Sequence, residues 1–178
     1  MVGSGKSKID YCLKMGADFV INKQKDQLWK EAEKSSPAGY FSIFDANGIE
    51  TLSQSYDHLS QSGRVITYGF HSNLPKTGFL SPFAWLKLIA GLILMPRFDP
   101  MELVLKSKSV CGFNLSFFSE EHELIAVYLQ SILAWVESGQ LKAPDTKIFD
   151  LMDIAAGHAA IQSGLTTGKL LVRTTLAS

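Results

Sequence analysis

The chain has 178 residues, 46% hydrophobic and 19% charged: enough apolar material for a full core, and too much for a disordered segment. Its Lys and Arg number 17, as do its Asp and Glu, so the formal net charge is zero; with no basic stripe, this argues against a nucleic-acid or acidic partner. Two cysteines, Cys12 and Cys111, are too few for a disulfide framework and point to a reducing, cytoplasmic setting.

The first residues contain no long apolar run of the signal-peptide kind. Val2-Gly3 reads as the end of a strand and residues 4–8 as the turn into a helix. In that helix Ile9, Cys12 and Leu13 recur at helical spacing, and Gly16 stands at the C-cap. "DFVIN" is a short strand, residues 27–34 a polar surface helix, and "YFSIFDA" a second strand closed by Asn47-Gly48. Leu52, Tyr56 and Leu59 mark one face of the next helix, and "GRVITYG" follows as a third strand. The segment "GFLSPFAWLKLIAGLILM" is interrupted by Pro82 and Lys87. Its continuous apolar part falls short of the ~20 residues that span a bilayer, so residues 83–95 read as a buried or interfacial helix. A short segment at 100–106 precedes a fourth strand, "SVCGFNLSFF". Ser119 with Glu120, Glu121 and Glu123 starts a helix, since acidic groups offset the free N–H groups there. That helix carries Leu124, Ile125, Tyr128, Leu129, Ile132 and Val136 on one face and ends at Gly139. A strand at 147–151, a helix ending near Gly164 and the strand "GKLLVRT" complete the chain. Strands and helices in alternation predict an α/β fold, with a mostly parallel sheet covered by helices on both faces.

The opening Gly3-Ser4-Gly5-Lys6-Ser7 has the second half of a G-x-x-x-x-G-K-[ST] phosphate loop. The first glycine of that pattern and the buried strand that anchors it are not in the sequence, and Asp45 is the only candidate for a metal-binding strand end. A nucleotide hydrolase is therefore the remote reading. Metal and nucleophile chemistry find no support: His58, His71, His122 and His158 have no zinc-site spacing with either cysteine, and His158 reads as a helix residue.

Four stretches taken in order carry a resemblance: "VGSGKSKIDYCLKMGADFVIN", "FDANGIETLSQSYDHLSQSGRVITYGF", "SVCGFNLSFF" and "HAAIQSGLTTGKLLV". Together they resemble the second half of the zinc-free medium-chain dehydrogenase/reductase family, in its quinone-oxidoreductase branch. "RFDPMELVLKSKSVCGFNLSFF" adds a VAT-1-like flavour. The resemblance implies an incomplete Rossmann domain over residues 1–140 without its first strand and glycine-rich turn. Residues 141–178 would return to a mostly absent catalytic domain. It further implies NADPH-dependent hydride transfer to a quinone or activated alkene, by a truncated and impaired form; no G-x-G-x-x-G occurs in the chain.

Candidate cofactor residues follow. At the end of the second Rossmann strand an acidic residue favours NAD, whereas cations and hydroxyls accommodate a 2′-phosphate. This chain offers Ser4, Lys6, Ser7 and Lys8 there, and no carboxylate before Asp10, which favours NADP(H). By resemblance Ser4 and Lys8 are the contacts, and Lys23 stands where many relatives carry a tyrosine. The resemblance puts the nicotinamide side near Asp45 and Asn47 and near the backbone of Tyr68, Gly69 and Phe70. Lys169 in the Gly168 turn faces the phosphates or solvent. No catalytic residue is assigned. The resemblance also implies a homodimer joined through the edge strand near residues 110–115, because an open apolar edge invites aggregation. A non-catalytic dimeric interaction module is the competing reading.

Overall fold

The structure is a computed structural model that describes residues 1–69, 82–118 and 120–174. Phe70, His71 and Ser119 therefore lie outside the described residues, as does the start of the apolar segment at 78–81.

The chain divides into two compact units: Met1–Glu31 with Glu121–Ser178, and Ala32–Glu120. In the first, strand β1 (Val2–Gly3) pairs in parallel with β2 (Ile21–Asn22) across helix α1 (Lys6–Lys14). Gly16 ends α1 at φ 103°, its N–H donating to the Leu13 carbonyl. The same unit holds α6 (His122–Glu137), β6 (Thr146–Asp150), α7 (Ile154–Gln162) and β7 (Lys169–Arg173), with β6 and β7 parallel over five residue pairs. Helix α2 (Leu28–Ser35) runs from one unit's residues into the other's.

The second unit is a three-stranded parallel sheet, ordered β3 (Tyr40–Asp45), β4 (Leu59–Thr67), β5 (Ser109–Gly112), with α3 (Ile49–Asp57), α4 (Pro82–Ile93) and α5 (Pro100–Lys106). All four strand pairings among the described residues are parallel, as the alternation of elements predicts. Parallel pairing puts the exits of β3, β4 and β5 in one row: Asp45 stands opposite Thr67, and Thr67 opposite Gly112.

The core of this unit is the face that α3 covers. Leu52 and Tyr56 of α3 meet Leu59 and the fully buried Val65 of β4, flanked by Ile43, Phe98, Leu103 and Val110. Burying each such side chain contributes about 1.5–3 kcal/mol. Lys108 secures the far end of α3. Its Nζ donates to the Tyr56 carbonyl at 3.1 Å and sits 4.8 Å from the Tyr56 ring centroid. Burial, aided by the nearby Lys106 charge, pulls its pKa below the ordinary 10.5.

Three expectations change. Leu59 does not continue the α3 face: the helix ends at Asp57 and Leu59 opens β4, still in the same core. "SVCGFNLSFF" is not one strand. β5 stops at Gly112, and the Asn114 side chain accepts the Ser116 N–H at 3.0 Å, starting a 3₁₀ turn over Leu115–Phe117. A short polar side chain that bonds its own backbone competes with the ladder. Helix α6 begins at His122, not at Ser119, with Glu121 at its N-cap position.

Between Tyr40 and Ser42 the β3–β4 register shifts, so that Leu59 and then Arg64 are successive partners. Gly39 makes this possible: its φ is +83°, and a Cβ there would lie 2.6 Å from the Ser60 nitrogen and 2.9 Å from the His58 oxygen. Gly39→Ala is expected to lower stability by about 1–3 kcal/mol in denaturant melts. Gly112→Ala, where a Cβ meets nothing within 4 Å, stays within about 0.5 kcal/mol of the parent.

Tyr56 gives a second test. Its hydroxyl is buried and has no hydrogen-bond partner among the described residues. Burial first, then the Glu102 charge, raises its pKa above the ordinary 10.0. The folded protein thus keeps a proton that the unfolded chain loses. This contribution is complete below pH 10.0 and is lost as pH rises through the folded-state value. Tyr56→Phe should leave stability at neutral pH unchanged or raise it by up to about 1 kcal/mol. It should also flatten the alkaline loss of stability, read from melts taken in steps above pH 10.0.

Candidate functional site

In parallel α/β sheets ligands bind beyond the carboxyl ends of the strands. The first unit presents one such end. Between β1 and α1 lie only Ser4 and Gly5, and Lys8 is half-buried in the first turns of α1, whereas Lys6 and Ser7 are exposed. The Lys23 N–H donates to the Gly3 carbonyl at 3.1 Å, which brings Lys23 beside this turn. Ser4 and Lys23 therefore follow directly on the exits of β1 and β2, and Lys8 is the third residue of α1. The carboxylate next along the chain from β2, Asp26, turns back to accept the Asn22 N–H at 3.0 Å. A two-residue connection is too short to wrap a phosphate in the manner of a hydrolase loop, and the lysine of that motif points to solvent.

Lys169 is placed differently. It opens β7, its N–H donates to the Asp145 carbonyl at 2.9 Å, and its side chain is exposed. The Asp145 N–H donates in turn to the Tyr11 hydroxyl at 3.1 Å, which sets this turn against α1 three residues beyond Lys8. Lys14 and Asp145 form an exposed ion pair at 2.8 Å, and the Asp145 carboxylate raises the Lys14 pKa above 10.5.

The second unit presents the row formed by β3 and β4. Asp45 is 4% exposed and its carboxylate is fully engaged. Oδ1 accepts the Asn47 N–H at 2.9 Å, the Gly48 N–H at 3.0 Å and the Thr51 hydroxyl at 2.9 Å. Oδ2 accepts the Thr51 and Ser55 hydroxyls at 2.8 Å each. The Asp45 carbonyl accepts the Tyr68 N–H at 3.0 Å. Asn47 and Tyr68 are exposed, Gly69 is half-buried, and Phe70 lies outside the described residues. Asp45, Asn47, Tyr68 and Gly69 are thus one group, with only backbone and the Asn47 and Tyr68 side chains facing outward. Sequence reasoning missed Thr51 and Ser55. Their signal is two hydroxyls four residues apart on a helix that follows a strand-ending aspartate.

Comparison with known proteins gives this geometry a context. Residues 15–172 match the pattern of a family described as zinc-binding dehydrogenase. A probable quinone oxidoreductase from Leishmania amazonensis is 28% identical over 177 residues, which cover 95% of this chain and 47% of that protein. The human synaptic vesicle membrane protein VAT-1 homolog is 26% identical over 169 residues, covering 93% of this chain and 41% of that protein. Escherichia coli quinone oxidoreductase, solved in complex with NADPH, has a TM-score of 0.67 at 20% identity, over 97% of this chain and 48% of that one. CurA from Vibrio vulnificus has a TM-score of 0.70 at 15% identity, over 99% and 49%. At these identities the two solved structures establish the fold, and the chain spans about half the length of the curated relatives it matches.

The family description names zinc, and the described residues offer no cluster of donors for it. Among the described residues no three His, Cys, Asp or Glu side chains gather, and the two cysteines lie in different units, Cys12 half-buried and Cys111 exposed. No helix among the described residues is long and apolar enough to cross a membrane. Because the family pattern runs from Met15 to Val172, through both β3–β4 and β4–β5 pairings and all but the last pair of β6–β7, the chain belongs to the zinc-binding dehydrogenase family of medium-chain dehydrogenase/reductases.

Proposed function

We propose that this chain is the cofactor-binding part of an NADP(H)-dependent oxidoreductase of the quinone-reductase type, which works without zinc on a quinone-like small molecule or an activated alkene. NADP(H), when bound, supplies the hydride; the protein holds dinucleotide and acceptor in line. The observation that carries this reading is the composition of the β1–α1 turn. Ser4 stands in that turn, the Lys23 N–H bonds the last residue of β1, half-buried Lys8 follows in α1, and Asp26 is tied to backbone, a set suited to a 2′-phosphate and unsuited to a free 2′-hydroxyl. Relatives named probable quinone oxidoreductase and prostaglandin reductase 1 support the reaction class, and the E. coli neighbour with NADPH supports the cofactor.

In this reading residues 1–140 serve the dinucleotide and residues 141–178 return to the substrate-binding part. Ser4, Lys8 and Lys23 take the adenosine end, Lys169 the phosphates, and Asn47 with the Tyr68–Gly69–Phe70 backbone the nicotinamide end. Since no G-x-G-x-x-G stands in these residues, the chain alone binds weakly and is impaired in turnover. Its two free cysteines agree with a cytoplasmic setting.

Isothermal titration with NADPH, NADH and ATP tests this. NADPH is expected to bind more tightly than NADH, and Lys8→Glu to erase the preference, a change of about tenfold or 1.4 kcal/mol. Binding of none of the three would favour a non-catalytic interaction module, and magnesium-dependent ATP binding would favour a hydrolase; either result overturns the proposal.

The reading includes a homodimer. Among the described residues β5 pairs with β4 alone, and Cys111, Gly112 and Leu115 at or after it are exposed. Charges on an edge strand block edge-to-edge pairing. Light scattering should give a dimer for the parent and a monomer for a Ser109→Lys, Cys111→Lys variant; a parent that stays monomeric at high concentration would rule the dimer out.

A further inference from the structure

We infer that Asp45 is a positioning residue: its carboxylate orders the Asn47–Gly48 turn, so that backbone, and not the acid itself, is what the β3–β4 strand end offers a ligand. The inference rests on the reading of this strand end as the nicotinamide side of a dinucleotide site.

A carboxylate that is to touch a ligand needs a free oxygen facing it. Both oxygens of Asp45 are committed inward. Oδ1 holds the Asn47 and Gly48 amides at 2.9 and 3.0 Å, and Oδ2 is anchored by the hydroxyls of Thr51 and Ser55 at 2.8 Å. Ser55 is itself only 2% exposed, so the anchor lies under α3, out of reach of solvent and ligand. The turn it fixes has one unusual backbone position. Gly48 is buried at φ 83°, ψ −128°, a conformation open to glycine alone, and such positions persist only where their surroundings enforce them. Here the enforcing group is the carboxylate. The same residue reaches the second strand exit through its main chain, because the Asp45 carbonyl receives the Tyr68 N–H. One residue therefore sets two backbone segments, the Asn47–Gly48 turn by its side chain and the start of Tyr68–Gly69 by its carbonyl, of which Asn47 and Tyr68 are the exposed residues.

The position of the charge also selects the ligand group. The N-terminus of α3 is an anion site by its free N–H groups and its dipole. Asp45 already fills it with a fixed negative charge, so a phosphate would meet repulsion there while a neutral or cationic ring would not. The phosphates of a dinucleotide are thereby directed elsewhere.

The test compares Asp45→Asn, Asp45→Ala and the remote destabilised variant Gly39→Ala. Amide hydrogen exchange at Asn47, Gly48 and Tyr68 reads the turn, circular dichroism reads folding, and titration with NADPH reads the site. Asn keeps one oxygen for the two amides, and the Thr51 and Ser55 hydroxyls accept as readily as they donate, so they receive its N–H groups instead. Asp45→Asn is therefore expected to keep turn protection and NADPH affinity within about threefold of the parent, whereas Asp45→Ala loses about tenfold or more in each. Gly39→Ala should leave protection at Asn47 and Gly48, and affinity, unchanged after correction for its global stability; an Asp45→Ala variant that recovers both after the same correction would show a merely stabilising role and overturn the inference. Equal loss of affinity in Asn and Ala variants, with the turn still protected, would make the carboxylate a direct contact and overturn the inference; so would an Ala variant with an intact turn. If Asp45→Ala does not fold, the Asn variant decides between these outcomes. A parent chain that binds no NADPH, with the turn still loosened in Asp45→Ala, would remove the cofactor reading and leave the ordering role standing.

Discussion

A buried carboxylate at one end of a helix and a half-buried ammonium at the other organise the second unit. Asp45 sits under the first turn of α3, and Lys108 reaches the carbonyls of Tyr56 and Asp57 at its last turn. Both charges oppose the helix dipole's partial charges, the arrangement that stabilises rather than strains a short helix. Because α3 carries Leu52 and Tyr56 into the sheet, fixing its two ends also fixes the core, and with it the row of strand exits. Burying charge is costly unless every lone pair is used, and Asp45 meets that condition through four donors.

The two strand-end groups differ in sign for physical reasons. At β1 a two-residue connection leads into α1 with no carboxylate in the turn, and Ser4, Lys8 and Lys23 leave the region hydroxylic and cationic. At β3 the helix N-terminus is already neutralised from inside. One end suits a phosphate, and the other an uncharged or cationic group. A helix N-terminus is often read as an anion site; here the side chain three residues upstream decides whether it is available.

Much of the α/β order was legible because period and punctuation agree. Ile9, Cys12 and Leu13 with Gly16 marked α1, and the apolar runs before Asn47-Gly48 and around Val65 marked strands. The misreadings fall where two elements share one core. Leu59 lies at helical spacing from Tyr56 and packs with it, yet it belongs to β4, where it pairs with Tyr40 ahead of the register shift between Tyr40 and Ser42. Asn114 broke an otherwise continuous apolar run because its side chain satisfies the Ser116 N–H locally.

The sequence by itself determined the kind of fold and the family, through alternation of strands and helices and four ordered stretches spread along the chain. It also determined the character of the β1–α1 turn, because hydroxyls, lysines and the absence of a carboxylate there are matters of composition. Only the tertiary structure decided what Asp45 does. Whether an acid at a strand end faces a ligand or its own helix depends on Thr51 and Ser55 standing one turn apart on the side that packs against the sheet. That is a fact of packing in three dimensions, since the energy of a buried charge is set by the donors around it and not by its neighbours in the chain.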